Sequence, residues 1–162
     1  GAVEHVVGAR PDVFNHNMET VARLYRPIRP GARYDHSLDI LKQVKSLDPS
    51  VFTKSGIMVG LGETDNEVAE MMDHLRAADV DFMTIGQYLQ PSVKHYPLKR
   101  YVHPDEFQEF KELALSKMPI PTQYLSFVAS DTHLGIDAHK LENINKQTTK
   151  LILLKLILEF RI

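Results

Sequence analysis

There is no cysteine in the 162 residues of this chain. That absence excludes disulfides, thiolate catalysis, zinc sites of the cysteine type and any cysteine-ligated iron–sulfur cluster held by the chain alone. An excess of charge of one sign is missing too. The formal net charge is -2, which gives no electrostatic case for a nucleic acid or an anionic membrane as partner. The N-terminus has no basic segment followed by an apolar stretch and a small-residue cleavage site, so no secretory leader is read there and a cytoplasmic location is expected. The apolar run LILLKLILEFRI at the C-terminus is interrupted by Lys155 and Glu159 and is too short for a membrane span. The eight histidines include no His-x-x-x-His pair on a helix face, and His74, His95 and His103 are expected on the surface or in loops. Neither a nucleophile elbow, Gly-x-Ser-x-Gly, nor a phosphate loop, Gly-x-x-x-x-Gly-Lys-Ser/Thr, occurs.

What is present reads as one soluble domain with a real core: 43% hydrophobic and 25% charged residues. Three short apolar runs, Val13 to Asn17, Ser55 to Gly60 and Phe82 to Tyr88, each end in polar or glycine residues and have the character of buried strands. Helical patterns fill the gaps, the spacing of strand–helix units in a parallel sheet. Val21, Leu24 and Tyr25 mark a short helix that Pro27 should stop, and a second helix is expected around Ser37 to Leu47 with Leu38, Leu41 and Val44 inward. Thr64 and Glu67 stand at capping-box spacing ahead of Val68, Met71, Met72 and Leu75, which share one face. Pro104, Asp105 and Glu106 start a last helix with Phe107, Phe110 and Ala114 on one side. Beyond Lys117 the pattern breaks at Pro119 and Pro121, and residues 118–162 read as a divergent tail closed by an apolar helix or strand.

In parallel strand–helix architectures ligands gather where the strands end. The first run ends in Asn15, His16 and Asn17 with Glu19 just beyond; a polar strand end that only caps a turn is an equal alternative. The second ends in Gly60, Leu61, Gly62 and Glu63, where glycine admits either a planar ligand or an ordinary tight turn. The third ends in Gln87 and Tyr88, an amide and an aromatic ring that could flank a base, though such a pair is more commonly an ordinary strand end. Lys94, Lys99 and Arg100 bracket the loop after it, a solvated face or a surface for an acidic partner.

The segments RPDVFNHNMETVARLYRPIRPGARYDHSL, TKSGIMVGLGET and LRAADVDFMTIGQYLQPSVKHYPLKRYVHPDEF resemble, in this order, the C-terminal half of lipoyl synthase, a family of radical S-adenosylmethionine enzymes. The resemblance covers residues 1–117 and implies an α/β fold, a partial (β/α)6 TIM-like barrel of about three parallel strand–helix units. It implies two [4Fe-4S] clusters and S-adenosylmethionine as cofactors. It also implies sulfur insertion into octanoyl chains carried on lipoyl carrier domains, with neither nucleic acid nor membrane as partner. Carried over by position, Gly60, Gly62 and Glu63 belong to a pattern that lies beside the adenine; Asn15, Asn17 and Glu19 face the ribose and amino-acid parts; Gln87 and Tyr88 lie near the adenine or substrate channel.

The family's cluster ligands, a Cys-x3-Cys-x2-Cys loop and a second cysteine triad, have no counterpart here. Phe127-Val128-Ala129-Ser130 echoes a family segment, but the Arg-Ser-Ser-Tyr that should follow is replaced by Asp131-Thr132-His133-Leu134. A truncated coding sequence whose frame shifted near its end is the simplest explanation, and the expectation is an inactive fragment with an exposed sheet edge. The rival from another class is a binding module for the lipoyl carrier or for a complementary N-terminal chain. A biotin synthase-like sulfurtransferase is a third reading, opposed by the series from NHNMET to GQYLQP.

Overall fold

The computed structural model describes residues 1–117. In chain order the elements are α1 (Ala2–Gly8), β1 (Val13–Asn15), α2 (Ala22–Ile28), α3 (Tyr34–Leu47), β2 (Phe52–Val59), α4 (Asp65–Ala77), β3 (Phe82–Gln87) and α5 (Pro104–Lys117). The strands form one parallel sheet in the order β1-β2-β3. The fold is therefore the expected α/β arrangement, three parallel strands alternating with helices as in part of a TIM-like barrel. The expectations for the tail, including Phe127 to Ser130 and the terminal apolar run, lie outside the described residues.

Each strand buries one face against helices. Along β2 the side chains of Thr53, Ser55, Ile57 and Val59 are buried, while Phe52 is exposed and Lys54 and Met58 are only partly covered. This is the period-two alternation of a sheet with one covered face. The covered face meets Val68, Met71, Met72 and Leu75 from α4, Leu38 and Leu41 from α3, and Phe110 and Ala114 from α5 in one continuous core. A smaller cluster of Val7, Val44 and Val51, with Val3 and Phe14 against it, holds α1 and α3 at the other end of the sheet.

Several boundaries differ from those read in the sequence. Helix α1 was not anticipated; seven residues carry too short a pattern to stand out, and it buries only Val7. β2 starts at Phe52 rather than Ser55, because Phe52 to Lys54 pair with Val13 to Asn15. α2 runs through Pro27 to Ile28. Proline forgoes its own bond to the preceding turn, and the helix closes one residue later, with the Arg29 N–H reaching the Tyr25 carbonyl at 2.7 Å. α3 starts at Tyr34, three residues ahead of expectation, since Tyr34 packs on the core. The predicted capping box of α4 is formed, with Glu67 N–H donating to the Thr64 hydroxyl and Thr64 N–H to the Glu67 carboxylate.

β1 stops at Asn15 and not at Asn17. Asn15 is level with Lys54, yet Glu19 is level with Ile57, so the first strand's path holds one residue more than its neighbour's. This is a bulge, which bends a chain and re-aims its side chains. The buried Ser55 hydroxyl accepts from Met18 N–H at 3.2 Å inside it, and Glu19 closes it at φ 68. Glu19 N–H then donates to the Gly56 carbonyl and its own carbonyl accepts from Met58 N–H, both at 2.9 Å.

Candidate site at the C-terminal strand ends

The bulge sets the geometry at the first strand end. It places the Asn17 side chain over the middle of β2, where a Cβ built on Gly56 would lie 3.1 Å from Asn17 Oδ1 and 2.7 Å from Thr84 Oγ1. A side chain at position 56 would force Thr84 Oγ1 to shift and crowd Asn17. Asn17 Oδ1 is buried and has no hydrogen-bond partner, as are His16 Nε2 and Thr20 Oγ1. Leaving such an acceptor unpaired costs about 1–3 kcal/mol, which makes Asn17 Oδ1, packed with Thr84 over Gly56, the candidate polar group of this strand end. Asn15 lies exposed one turn of the pleat below it, on the strand edge level with Lys54.

Glu19 is half-buried and in the left-handed region, which a side chain other than glycine enters at a cost of roughly 1 kcal/mol. Arg29 braces the same end from α2's C-terminus. Its Nη1 donates to the Asn17 carbonyl at 3.3 Å and to the Tyr25 hydroxyl at 2.7 Å, and the guanidinium lies 5.2 Å from the Tyr25 ring centroid. Burial, followed by the positive charges of Arg29 and His36, lowers the pKa of His16, which favours the neutral ring.

The second strand end is satisfied within itself. Gly60 and Gly62 have φ of 98 and 101, a turn that only glycine adopts readily. The Glu63 carboxylate accepts from Gly60 N–H at 2.6 Å and from Leu61 N–H at 2.9 Å. The space a Cβ would take on Gly60 is filled by the Arg100 carbonyl and Gln87 Nε2, both 2.5 Å away. Arg23 ties this turn to α2: Nε and Nη2 grip both Glu67 oxygens at 2.6 and 2.9 Å, and Nη2 also donates to the Gly62 carbonyl at 2.8 Å. The Arg23 hydrogen bonds, ahead of those from Thr64, pull the Glu67 pKa down to about 2.

The third strand end is equally self-contained. Gln87 Nε2 donates to the carbonyls of Val59, Tyr88 and Arg100, and Gln87 Oε1 accepts from Val102 N–H at 2.8 Å. The Tyr88 hydroxyl donates to the Tyr96 carbonyl at 2.7 Å. These two side chains fasten the loop that follows β3.

The structure thus brings Asn17 together with Gly56 and Thr84, keeps Asn15 and Glu19 on the same strand end, and commits Glu63, Gln87 and Tyr88 to backbone partners. Sequence reading missed Thr84, Arg23 and Arg29. Thr84 was open to a register argument, since it pairs with Gly56 across β2 and β3; nothing local marks the two arginines. His74 is neither in a loop nor fully exposed. It lies on α4, with Nδ1 2.9 Å from the Tyr34 hydroxyl, because the Tyr34 ring bridges α3 and α4. Among the described residues no group of His, Asp and Glu is arranged to hold a metal ion, and no helix is long and apolar enough to cross a membrane.

The model of the Radical SAM superfamily matches residues 2–75, from the start of α1 through Leu75 of α4. That stretch contains the first two strand ends, with Asn17, Gly56 and the Glu63-closed turn; β3 with Gln87 and Tyr88 falls beyond it. Over residues 2–75 the chain is similar to the radical SAM superfamily.

Proposed function

We propose that residues 1–117 are the S-adenosylmethionine-facing part of a lipoyl synthase-type radical enzyme, whose reaction is sulfur insertion into octanoyl chains on lipoyl carrier domains. The observation that carries the ligand assignment is the buried, unpaired Asn17 Oδ1 above Gly56, within the stretch similar to the radical SAM superfamily. A ligand hydroxyl or amino group reaching Asn17 Oδ1 would satisfy that acceptor. Glu19, at the same strand end, supplies negative charge suited to a sulfonium or an α-amino group. The bare Gly56 backbone lets the Asn17 and Thr84 side chains come close to the sheet, which sets where Asn17 Oδ1 lies. S-adenosylmethionine, when bound, supplies an activated carbon–sulfur bond; the residues of this chain bind and orient it.

The iron–sulfur clusters of such enzymes do not fit this chain. With no cysteine in the sequence and no alternative cluster of donors among the described residues, no step that needs cluster electrons is assigned to it. We therefore expect binding without turnover by this chain alone. Titration calorimetry with S-adenosylmethionine on the full chain tests the first half: wild type is expected to release heat, and Asn17→Ala to weaken the affinity by about tenfold, one lost hydrogen bond. Incubation with iron, sulfide, S-adenosylmethionine and octanoylated carrier tests the second, since deoxyadenosine above a no-protein control refutes inactivity.

A second reading, favoured by the missing cysteines, is a module that binds the lipoyl carrier or a complementary N-terminal chain without catalysis. It predicts carrier retention with no measurable affinity for S-adenosylmethionine.

A further inference from the structure

The connection over residues 88–103, between β3 and α5, has no regular secondary structure. Loops of this length inside a compact fold are uncommon and are usually functional or disordered. This one is pinned. Gln87 and Tyr88 hold its far half, as described. Gln90 Nε2 donates to the Ser92 and His95 carbonyls, Gln90 Oε1 accepts from Leu98 N–H, and the Gly60 carbonyl accepts from Lys99 N–H at 2.9 Å. Val102 is buried in the core, with Tyr96 and Leu98 packed against it.

What this rigid loop presents outward is unusual for the chain. Val93 is 95% exposed, Tyr101 73% and Leu89 52%, three of the exposed large apolar side chains on one connection. Between Asp81 and Asp105 the sequence has no acidic residue, although the whole chain is slightly acidic, while Lys94, Lys99 and Arg100 are all there. Arg100 is neutralised by Glu106 at 2.7 Å. Lys94 and Lys99 are exposed and have no acidic partner among the described residues, and Lys99 lies 5.6 Å from the Tyr96 ring centroid.

We propose that this loop is a preformed docking surface for an acidic protein domain, with Val93, Leu89 and Tyr101 as apolar anchors and Lys94 and Lys99 as the steering charges. Rigid backbone limits the ordering cost of binding, exposed apolar side chains supply area to bury, and the unpaired lysines supply charge complementary to an acidic partner. A nucleic acid is disfavoured because two free cations release too few counterions for useful affinity. An anionic membrane is disfavoured because the anchors stand on a pinned loop and not along an amphipathic helix. The inference rests on the proposed function only for the first choice of partner, an octanoylated lipoyl carrier domain.

The test measures binding of the full chain, by interferometry at low and at high salt, to that carrier and to an acidic acyl carrier protein as a second acidic probe. Lys94→Glu with Lys99→Glu, and separately Val93→Asp, are expected to weaken binding at low salt by roughly tenfold or more. The thermal midpoint should move by no more than about 2 °C for Val93→Asp, whose side chain is 95% exposed, and by a few degrees at most, roughly, for the double variant, which gives up the Lys99 contact with the Tyr96 ring. Carrier binding that the variants leave unchanged overturns the docking surface while the lipoyl reading stands. Loop-dependent binding of the acidic probe with no binding of the carrier upholds the surface and counts against that partner. Binding of neither acidic domain at low salt, or tighter binding of RNA or phosphatidylserine vesicles than of either, overturns the proposal.

Discussion

Replacing Gly60 by alanine should damage this fold more than the same change at Gly62, although both glycines share one turn and nearly the same φ, 98 and 101. The conformational term is common to both: an L side chain in this region costs roughly 1–2 kcal/mol. The steric term separates them. At Gly62 the new Cβ would meet only Lys99 Cγ at 3.3 Å, a flexible chain that can give way. At Gly60 it would lie 2.5 Å from the Arg100 carbonyl oxygen, a backbone atom, and 2.5 Å from Gln87 Nε2. Those two must retreat together, which threatens the hydrogen bonds from Gln87 Nε2 and the one from Lys99 N–H to the Gly60 carbonyl. Overpacking of this kind adds about 1–3 kcal/mol. Gly60→Ala should therefore lose about 2–5 kcal/mol and Gly62→Ala about 1–2, read from urea unfolding followed by circular dichroism. Gly31→Ala, where nothing lies within 4 Å and the backbone is ordinary, is the control and should change little. Equal losses at Gly60 and Gly62 would refute the claim that close approach of the loop, over and above the turn, is what demands glycine at position 60.

Four other outcomes are expected. Glu67 should titrate near pH 2 by NMR in the wild type and move back toward 4.5 in Arg23→Ala; because the folded value is depressed, the stabilisation it gives is full above about pH 4.5 and fades as pH falls toward 2. Met72→Ala, at a side chain with 0% exposure on the inner face of α4, should lose about 2–5 kcal/mol by chemical denaturation. Asn17→Ala should leave stability unchanged or raise it by up to about 1 kcal/mol, since the carbonyl it removes is buried without a partner. Glu19→Gly should raise stability by about 1 kcal/mol through relief of its φ of 68, while weakening any cationic ligand at that strand end, so a loss of stability would contradict the strain argument.

The elements with strong periodicity were legible in the sequence, and α4 shows why. Its capping box is a contact between residues three apart, and its apolar face recurs at helical spacing, so nothing remote is needed to read it. β1 shows the opposite. Its length is set by which residues of β2 lie opposite and by a bulge that Ser55, thirty-seven positions away, helps to satisfy. A strand's end read from its own residues therefore overshot to Asn17. α2's passage past Pro27 was not legible either: proline forgoes one bond to the turn before it, and the helix goes on only to Ile28.

The candidate residues also divide along a line that no local pattern draws. Asn17 and Glu63 are both polar groups beside strand ends, and residue type gives no reason to separate them. The structure does, through what each already holds. Glu63 spends both oxygens on Gly60 and Leu61, Gln87 uses its amide on four backbone groups, and Tyr88 is fixed to Tyr96, so these residues build the wall. Asn17 keeps a buried oxygen free, and Glu19 is held in a strained backbone at the same place. Strain and unsatisfied polar groups oppose folding, and the two together at one strand end are what the proposed ligand would compensate. The ligand's polar groups should accordingly be sought at the β1 end, with Gly56 beneath it, while the glycine turn between β2 and α4 serves as the frame that keeps the loop over residues 88–103 in position.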